Sequence, residues 1–244
     1  MALAQYRKAR PNSLLSVCLF VRRLVVVVSL AVGLLPTVLV SGAVAQDSST
    51  RTGPLHRSRI SVWGAHAFSG GSILGKIPDS RLRMVGLRYH HRLLPTARQA
   101  RDSYDAPTLT YTADFLPVVG LHIPRDAALG AFFPDGPQTG TALTTNGVGL
   151  YPMGLRVAFS VRSRVHPFVG GQTGFLYFFD PVPDERGQSF NFAAALGGGV
   201  SVTLSGRWSM SLGYRYHHMS NGFRGSINPG LDVHLLSLGL AAGL

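Results

Sequence analysis

Within Gly213-Tyr214-Arg215-Tyr216-His217-His218-Met219-Ser220-Asn221-Gly222, a histidine and a serine stand two residues apart. An aspartate follows in Asn228-Pro229-Gly230-Leu231-Asp232. These are the parts of a nucleophilic hydrolase in the chain order His, Ser, Asp. Ser220 would attack, His218 would take its proton, and Asp232 would orient the imidazole and stabilise its charged form. A tetrahedral intermediate on Ser220 needs hydrogen-bond donors for its oxyanion. The Asn221 side chain and the Gly222 backbone N–H are the nearest. Asn228-Pro229-Gly230 is a turn signal that can bring Asp232 back toward Ser220. The same residues would equally suit the polar end of an exposed strand, so the face on which they lie decides between the two readings.

The chain has 244 residues, 29 of them glycine; 45% are hydrophobic and only 14% charged. That is apolar and glycine-rich for a water-soluble domain, and the length fits one domain. Arg7, Lys8, Arg10, Arg22 and Arg23 precede an apolar run over 24–40. Ala43-Val44-Ala45 then gives a small-residue cleavage pattern. Residues 1–45 read as a signal peptide, with 46–244 as the mature domain. A membrane-anchor helix is the alternative, although Pro36 interrupts the run. Cleavage would remove Cys18, the single cysteine, so the exported protein has no disulfide. It would also remove five basic residues and no acidic one, leaving +7 of the formal +12. A basic exported protein suits anionic lipid or polysaccharide. No nucleic-acid module is visible.

From residue 58 onward the chain alternates with a period of two. Eight strand-like runs lie near 59–69, 81–93, 106–116, 146–161, 165–179, 189–204, 207–221 and 231–244. In the sixth, Phe190, Phe192, Leu196, Val200, Val202 and Leu204 share one parity. Asn191, Ala193, Ala195, Gly197, Gly199, Ser201 and Thr203 share the other. In the fourth, Tyr151, Met153, Leu155, Val157 and Phe159 stand opposite Gly154, Arg156, Ala158 and Ser160. A soluble sandwich would turn its large residues inward and its charges outward. Here the second face is small or weakly polar, which suits the lumen of a small barrel whose large residues meet lipid. The expected fold is all-β: an eight-stranded antiparallel outer-membrane β-barrel. Both termini would be periplasmic, with short turns at 162–164 and 205–206. Long connections would lie outside, at 117–145 and 181–188. The Pro- and Gly-containing 117–145 loop is expected to be mobile and to contribute nothing to the site. Arg88-Tyr89-His90-His91 echoes Arg215-Tyr216-His217-His218 but lacks the following serine. His90 and His91 are therefore expected as polar residues near a membrane interface.

Parity places His218 and Ser220 on the outward face of the seventh strand with Trp208, Met210, Leu212, Tyr214 and Tyr216. Asp232 shares the outward parity of Leu236, Leu238, Leu240 and Leu244 in the eighth. A polar cluster on the lipid side is costly away from the interface. A site for a lipid substrate in the outer leaflet would justify it.

Tyr214-Arg215-Tyr216-His217-His218-Met219-Ser220-Asn221, followed by Asn228-Pro229-Gly230-Leu231-Asp232, resembles the signature of the lipid A 3-O-deacylase family. The family's His-x-Ser-Asn motif matches His218-Met219-Ser220-Asn221, and its acidic residue falls at Asp232. The resemblance implies a bacterial outer-membrane barrel that removes the ester-linked 3-hydroxyacyl chain of lipid A. Lipopolysaccharide would be the partner, no cofactor or metal would be needed, and a homodimer stays open. One departure is that the best-known family member carries glutamate where this chain has Asp232. Two other readings remain: a non-enzymatic OmpA-like structural or adhesin barrel, and an acyltransferase moving a chain between lipids.

Overall fold

A computed structural model of the protein describes residues 57–71, 73–94, 107–124, 142–159, 164–205 and 207–244. The expected signal peptide, 1–45, lies outside them. Eight strands follow in order: β1 (Ser58–Gly71), β2 (Arg81–Leu94), β3 (Thr108–Ile123), β4 (Leu143–Ala158), β5 (Val165–Val182), β6 (Gln188–Ser205), β7 (Trp208–Ser220) and β8 (Leu231–Gly243). Each pairs antiparallel with the next, and β1 pairs with β8, closing the barrel. Closure leaves no unpaired strand edge, the condition for a sheet to sit in hydrocarbon. Every strand has at least 13 residues, more than the roughly 9–11 that a tilted strand needs to cross.

The two-residue period sorts the side chains as the sequence requires. On β6, Phe192, Leu196 and Leu204 are exposed while Asn191, Ala193, Ala195 and Ser201 are buried. Around the wall, Val62, Leu87, Phe115, Leu155, Val169 and Leu212 are likewise exposed. Such a continuous apolar exterior is what lipid contact demands.

The interior differs from the small-residue lumen read from the sequence. At the end opposite the termini it is filled by large apolar side chains: Leu82, Met84, Leu116, Leu121, Leu176, Phe178, Met219 and Leu231. Toward the termini it is polar. Arg88 grips Asp114 with two hydrogen bonds of 2.5 and 2.6 Å and also donates to Gln172 Oε1 at 3.0 Å. His90 points into this region and meets Ser61 Oγ at 3.0 Å, whereas His91 is outside, against Ser58 and Tyr89. The expectation that both histidines are polar residues near the membrane interface is thus corrected for His90, because neighbours in a strand face opposite ways.

Three further expectations are revised. Tyr151, assigned outward with Met153 and Leu155, is buried, while Met153 and Leu155 are exposed. The register of β4 against β5 shifts between Leu150 and Met153. Pro152 lies in that gap; it has no N–H for the ladder, and an extra residue there inverts the facing before it. The connection read as 117–145 is shorter, because β3 runs on to Ile123 and β4 begins at Leu143. Pro117 had suggested a loop, but it sits at the β3 bulge between Leu116 and Val119. The tip of that connection, 125–141, lies outside the described residues, as does most of the turn at 94–105. The connection read as 181–188 reduces to 183–187 for the same reason.

The protein should give a sheet-dominated far-UV spectrum and migrate faster before heating than after. Asp114→Asn would leave the Arg88 guanidinium uncompensated inside the barrel, with an expected loss of about 3–5 kcal/mol. Urea unfolding in detergent measures it; an unchanged midpoint would show that the pair contributes nothing.

Candidate active site

The β7–β8 hairpin builds the site at the end of the barrel opposite the termini. In its register His218 stands directly opposite Asp232, and Met219 opposite Leu231. Both polar residues lie on the outer face, as the parity argument requires. His217, one residue earlier, points inward, is fully buried and meets the Tyr151 hydroxyl at 2.5 Å.

His218 Nδ1 lies 2.6 Å from Asp232 Oδ1. An ionised carboxylate only accepts, so Nδ1 carries the proton and Nε2 is left with a lone pair. That is the tautomer a general base needs. His218 is partly accessible and Asp232 is not accessible at all.

A carboxylate on the lipid-facing wall of a barrel is buried here by an element with no side-chain signature. The β1–β2 connection folds over the start of β8. The backbone N–H groups of Leu74 and Gly75 donate to Asp232 Oδ2 at 2.7 and 2.8 Å. Lys76 N–H donates to Pro229 O at 2.9 Å, and Ile77 forms a parallel bridge with Leu231. Two glycines make this approach feasible. A Cβ at Gly71 would stand 2.9 Å from Asp232 Cβ, and one at Gly75 only 2.7 Å from the backbone of Leu231 and Asp232. The three hydrogen bonds to the Asp232 carboxylate thus come from β7 and from a loop about 157 residues away in sequence.

The connection 221–230 is tied across its neck. Asn221 N–H donates to Asn228 Oδ1 at 3.0 Å, and Asn221 Nδ2 donates to Ile227 O at 2.7 Å. Gly222, Phe223 and Gly230 have left-handed φ of 64°, 61° and 66°, which turns the chain sharply at both ends. A Cβ at Gly230 would meet His218 Cε1 at 3.1 Å, so this turn also walls the imidazole.

Ser220, partly exposed, is the last residue of β7 and shares the outer face with His218. Its hydroxyl makes no hydrogen bond to the imidazole in this structure. Asn221 is buried and its amide is engaged by Ile227, so it holds the loop. A residue read only as part of the turn occupies a more open position: Asn228 lines a small cleft with Ser220, Pro229 and Gly230. Its Oδ1 is fixed by Asn221 N–H, and its Nδ2 has no partner among the described residues. Sequence offered no signal for this, because Asn before Pro-Gly is an ordinary turn residue.

Apolar surface flanks the cleft. Phe192 of β6 pairs directly with Ser220, its ring lies beside Gly222, and it is half exposed. Phe190 packs edge-on against Phe192 and stacks on Phe175. On the other side Phe68, Tyr214 and His234 form a second aromatic group, with the Tyr214 hydroxyl 2.7 Å from His234 Nδ1. Among the described residues no group of three or more His, Cys, Asp or Glu side chains is arranged to hold a metal ion.

Among solved structures, the outer membrane enzyme PagL aligns at 17% identity with a TM-score of 0.48, covering 75% of this chain and 99% of that one. Neisserial surface protein A (NspA) aligns at 15% identity with a TM-score of 0.42, covering 77% and 97%. No curated protein matches significantly. The family described as Lipid A 3-O-deacylase (PagL) matches residues 120–241, half of the chain and the whole β7–β8 hairpin apart from its last residues. The chain belongs to the lipid A 3-O-deacylase family and is an outer-membrane β-barrel hydrolase acting on lipid A.

Proposed function

We propose that lipid A deacylation by this barrel runs through a Ser220–His218–Asp232 triad on its outer wall. The observation that carries the reading is the 2.6 Å contact between His218 Nδ1 and an inaccessible Asp232, which fixes Nε2 as the basic nitrogen. In the reaction Ser220 Oγ attacks the carbonyl carbon of the ester at position 3 of lipid A, and its proton passes to His218 Nε2. The imidazolium so formed is stabilised by Asp232. Collapse of the tetrahedral intermediate breaks the ester C–O bond, and His218 returns the proton to the departing sugar oxygen. Water then attacks the acyl–serine ester, again with His218 as base, releasing the 3-hydroxy fatty acid and free Ser220.

The oxyanion needs donors on the Ser220 side of the cleft. The Gly222 N–H and the Asn228 Nδ2 suit this role best, with Asn221 setting the position of Asn228. Phe192 and its aromatic neighbours give the acyl chain an apolar bed beside the nucleophile. A lipid embedded in the outer leaflet reaches this site laterally, with no need to enter the filled barrel. The acyltransferase reading needs water kept from the acyl–serine ester.

Ser220→Ala and His218→Asn should each lower the rate of 3-hydroxyacyl release by about 10³-fold or more. The double variant should be no worse than either single one, because the residues act as a unit. Mass spectrometry of lipid A from cells carrying each variant reads this directly; continued loss of the chain in the Ser220→Ala cells would rule the mechanism out. Lipid A that gains an acyl chain would mark a transferase.

Asp232→Asn should cost about 10²–10⁴-fold, since it disturbs the tautomer of His218. Asp232→Glu should stay within about tenfold, because a carboxylate still reaches the ring. His217→Ala should instead reduce stability, by leaving the Tyr151 hydroxyl unpaired in the interior, and spare most of the hydrolysis. An activity loss equal to that of His218→Ala, with barrel yield unchanged, would contradict the assigned facing.

Gly75→Val should push the 73–80 connection off β8 and release Asp232 from its two N–H donors. A roughly 10–100-fold fall in kcat with the barrel still heat-modifiable is expected. Unaltered turnover would show that the loop is dispensable to the triad.

A further inference from the structure

The polar half of the barrel interior carries more positive charge than it balances. Arg88, Arg156 and Arg215 all face one cavity of about 40 Å³. Among the described residues Asp114 is the only carboxylate in the interior, and both of its oxygens are taken by Arg88. Arg215 has a buried Nη1 with no hydrogen-bond partner. Its guanidinium lies 4.4 Å from the Trp63 ring centre, and Arg88 lies 5.1 Å from the same ring. Two like charges therefore share one indole. Arg156 stacks on Phe168 at 3.7 Å and has no ion pair or hydrogen bond among the described residues.

The cavity is rich in donors and poor in acceptors. Among the described residues the side-chain acceptors facing it are Thr112 Oγ1 and Gln172 Oε1, and Gln172 already receives Arg88. The wall beside the arginines is Gly170, Gly197 and Gly213, which leaves the volume open. By size the cavity would hold about two or three waters. Water can accept hydrogen bonds, but it does not offset two unpaired guanidinium charges in an interior ringed by lipid.

We propose that this cavity is a binding site for a small tetrahedral oxoanion, inorganic phosphate or sulfate, held by Arg156 and Arg215 with Arg88 behind them. Guanidinium groups match the paired oxygens of such an anion geometrically as well as in charge. Toward the termini the interior continues in polar side chains, among them Ser61, Ser209 and Arg59. The other end is shut by the apolar side chains around Leu116, Leu176 and Phe178. The site is separate from the triad, so its presence does not depend on how hydrolysis occurs.

The test uses the full barrel refolded in a zwitterionic detergent at constant ionic strength, titrated with sodium sulfate and, separately, sodium phosphate. The melting temperature should rise by several degrees and saturate, as binding to the folded state requires. With Trp208→Phe leaving Trp63 as the single indole, its fluorescence should change along the same saturation curve. Arg156→Gln should abolish the saturating rise, and Arg215→Gln serves equally should the first fail to refold. A wild-type melting temperature that does not saturate overturns the proposal without either variant. So does an equal response to sodium chloride at matched ionic strength, or a response unchanged in Arg156→Gln.

Discussion

A sheet in hydrocarbon must pair every backbone N–H and C=O, so it must close. The β1–β8 pairing meets that demand, and the remaining structure follows from it. Once closed, eight strands enclose too little space for a lipid, and the interior is packed with Leu116, Leu176, Phe178 and their neighbours at one end and ion-paired at the other. The proposed triad accordingly lies on the outer wall, where every other residue already faces the membrane.

The outer wall is a poor place for a carboxylate. An enzyme that needs one there has to shield it from lipid while keeping it ionised. The arrangement around Asp232 meets both needs. The imidazole of His218 takes one oxygen, and the N–H groups of Leu74 and Gly75 take the other. Backbone donors suit this task because they bring no competing charge and no side chain to order. The cost falls on Gly71 and Gly75, where even a methyl group would collide with β8. Substrate access survives because the shielding covers Asp232 while His218 and Ser220 stay partly open beside the aromatic surface of Phe192.

Much of this was legible in the residues, because period two is a strong constraint. The outward parity of His218 and Ser220, the inward parity of His217 and the two faces of β6 follow from alternation alone. What alternation could not show has physical causes. Pro152 interrupts the β4 ladder and inverts Tyr151, so counting by twos fails across it. Pro117 and Gly120 look like loop residues, yet a bulge lets β3 continue past them. The donors from Leu74 and Gly75 are invisible because any residue but proline has a backbone N–H; only the fold brings these two to Asp232. Asn221 and Asn228 both line the cleft beside Ser220, and proximity in sequence could not show that Asn221 Nδ2 is engaged by Ile227 O.

The central claim is that an outward-facing Ser220 is made nucleophilic by His218 and Asp232. Its most direct test is covalent capture. Active barrel treated with a serine-directed fluorophosphonate, then digested and analysed by peptide mass spectrometry, should carry the phosphonyl group on Ser220, with labelling and hydrolysis lost in parallel and with far slower labelling in the His218→Asn protein. Label on another residue, or full inactivation with Ser220 unmodified, would contradict the account.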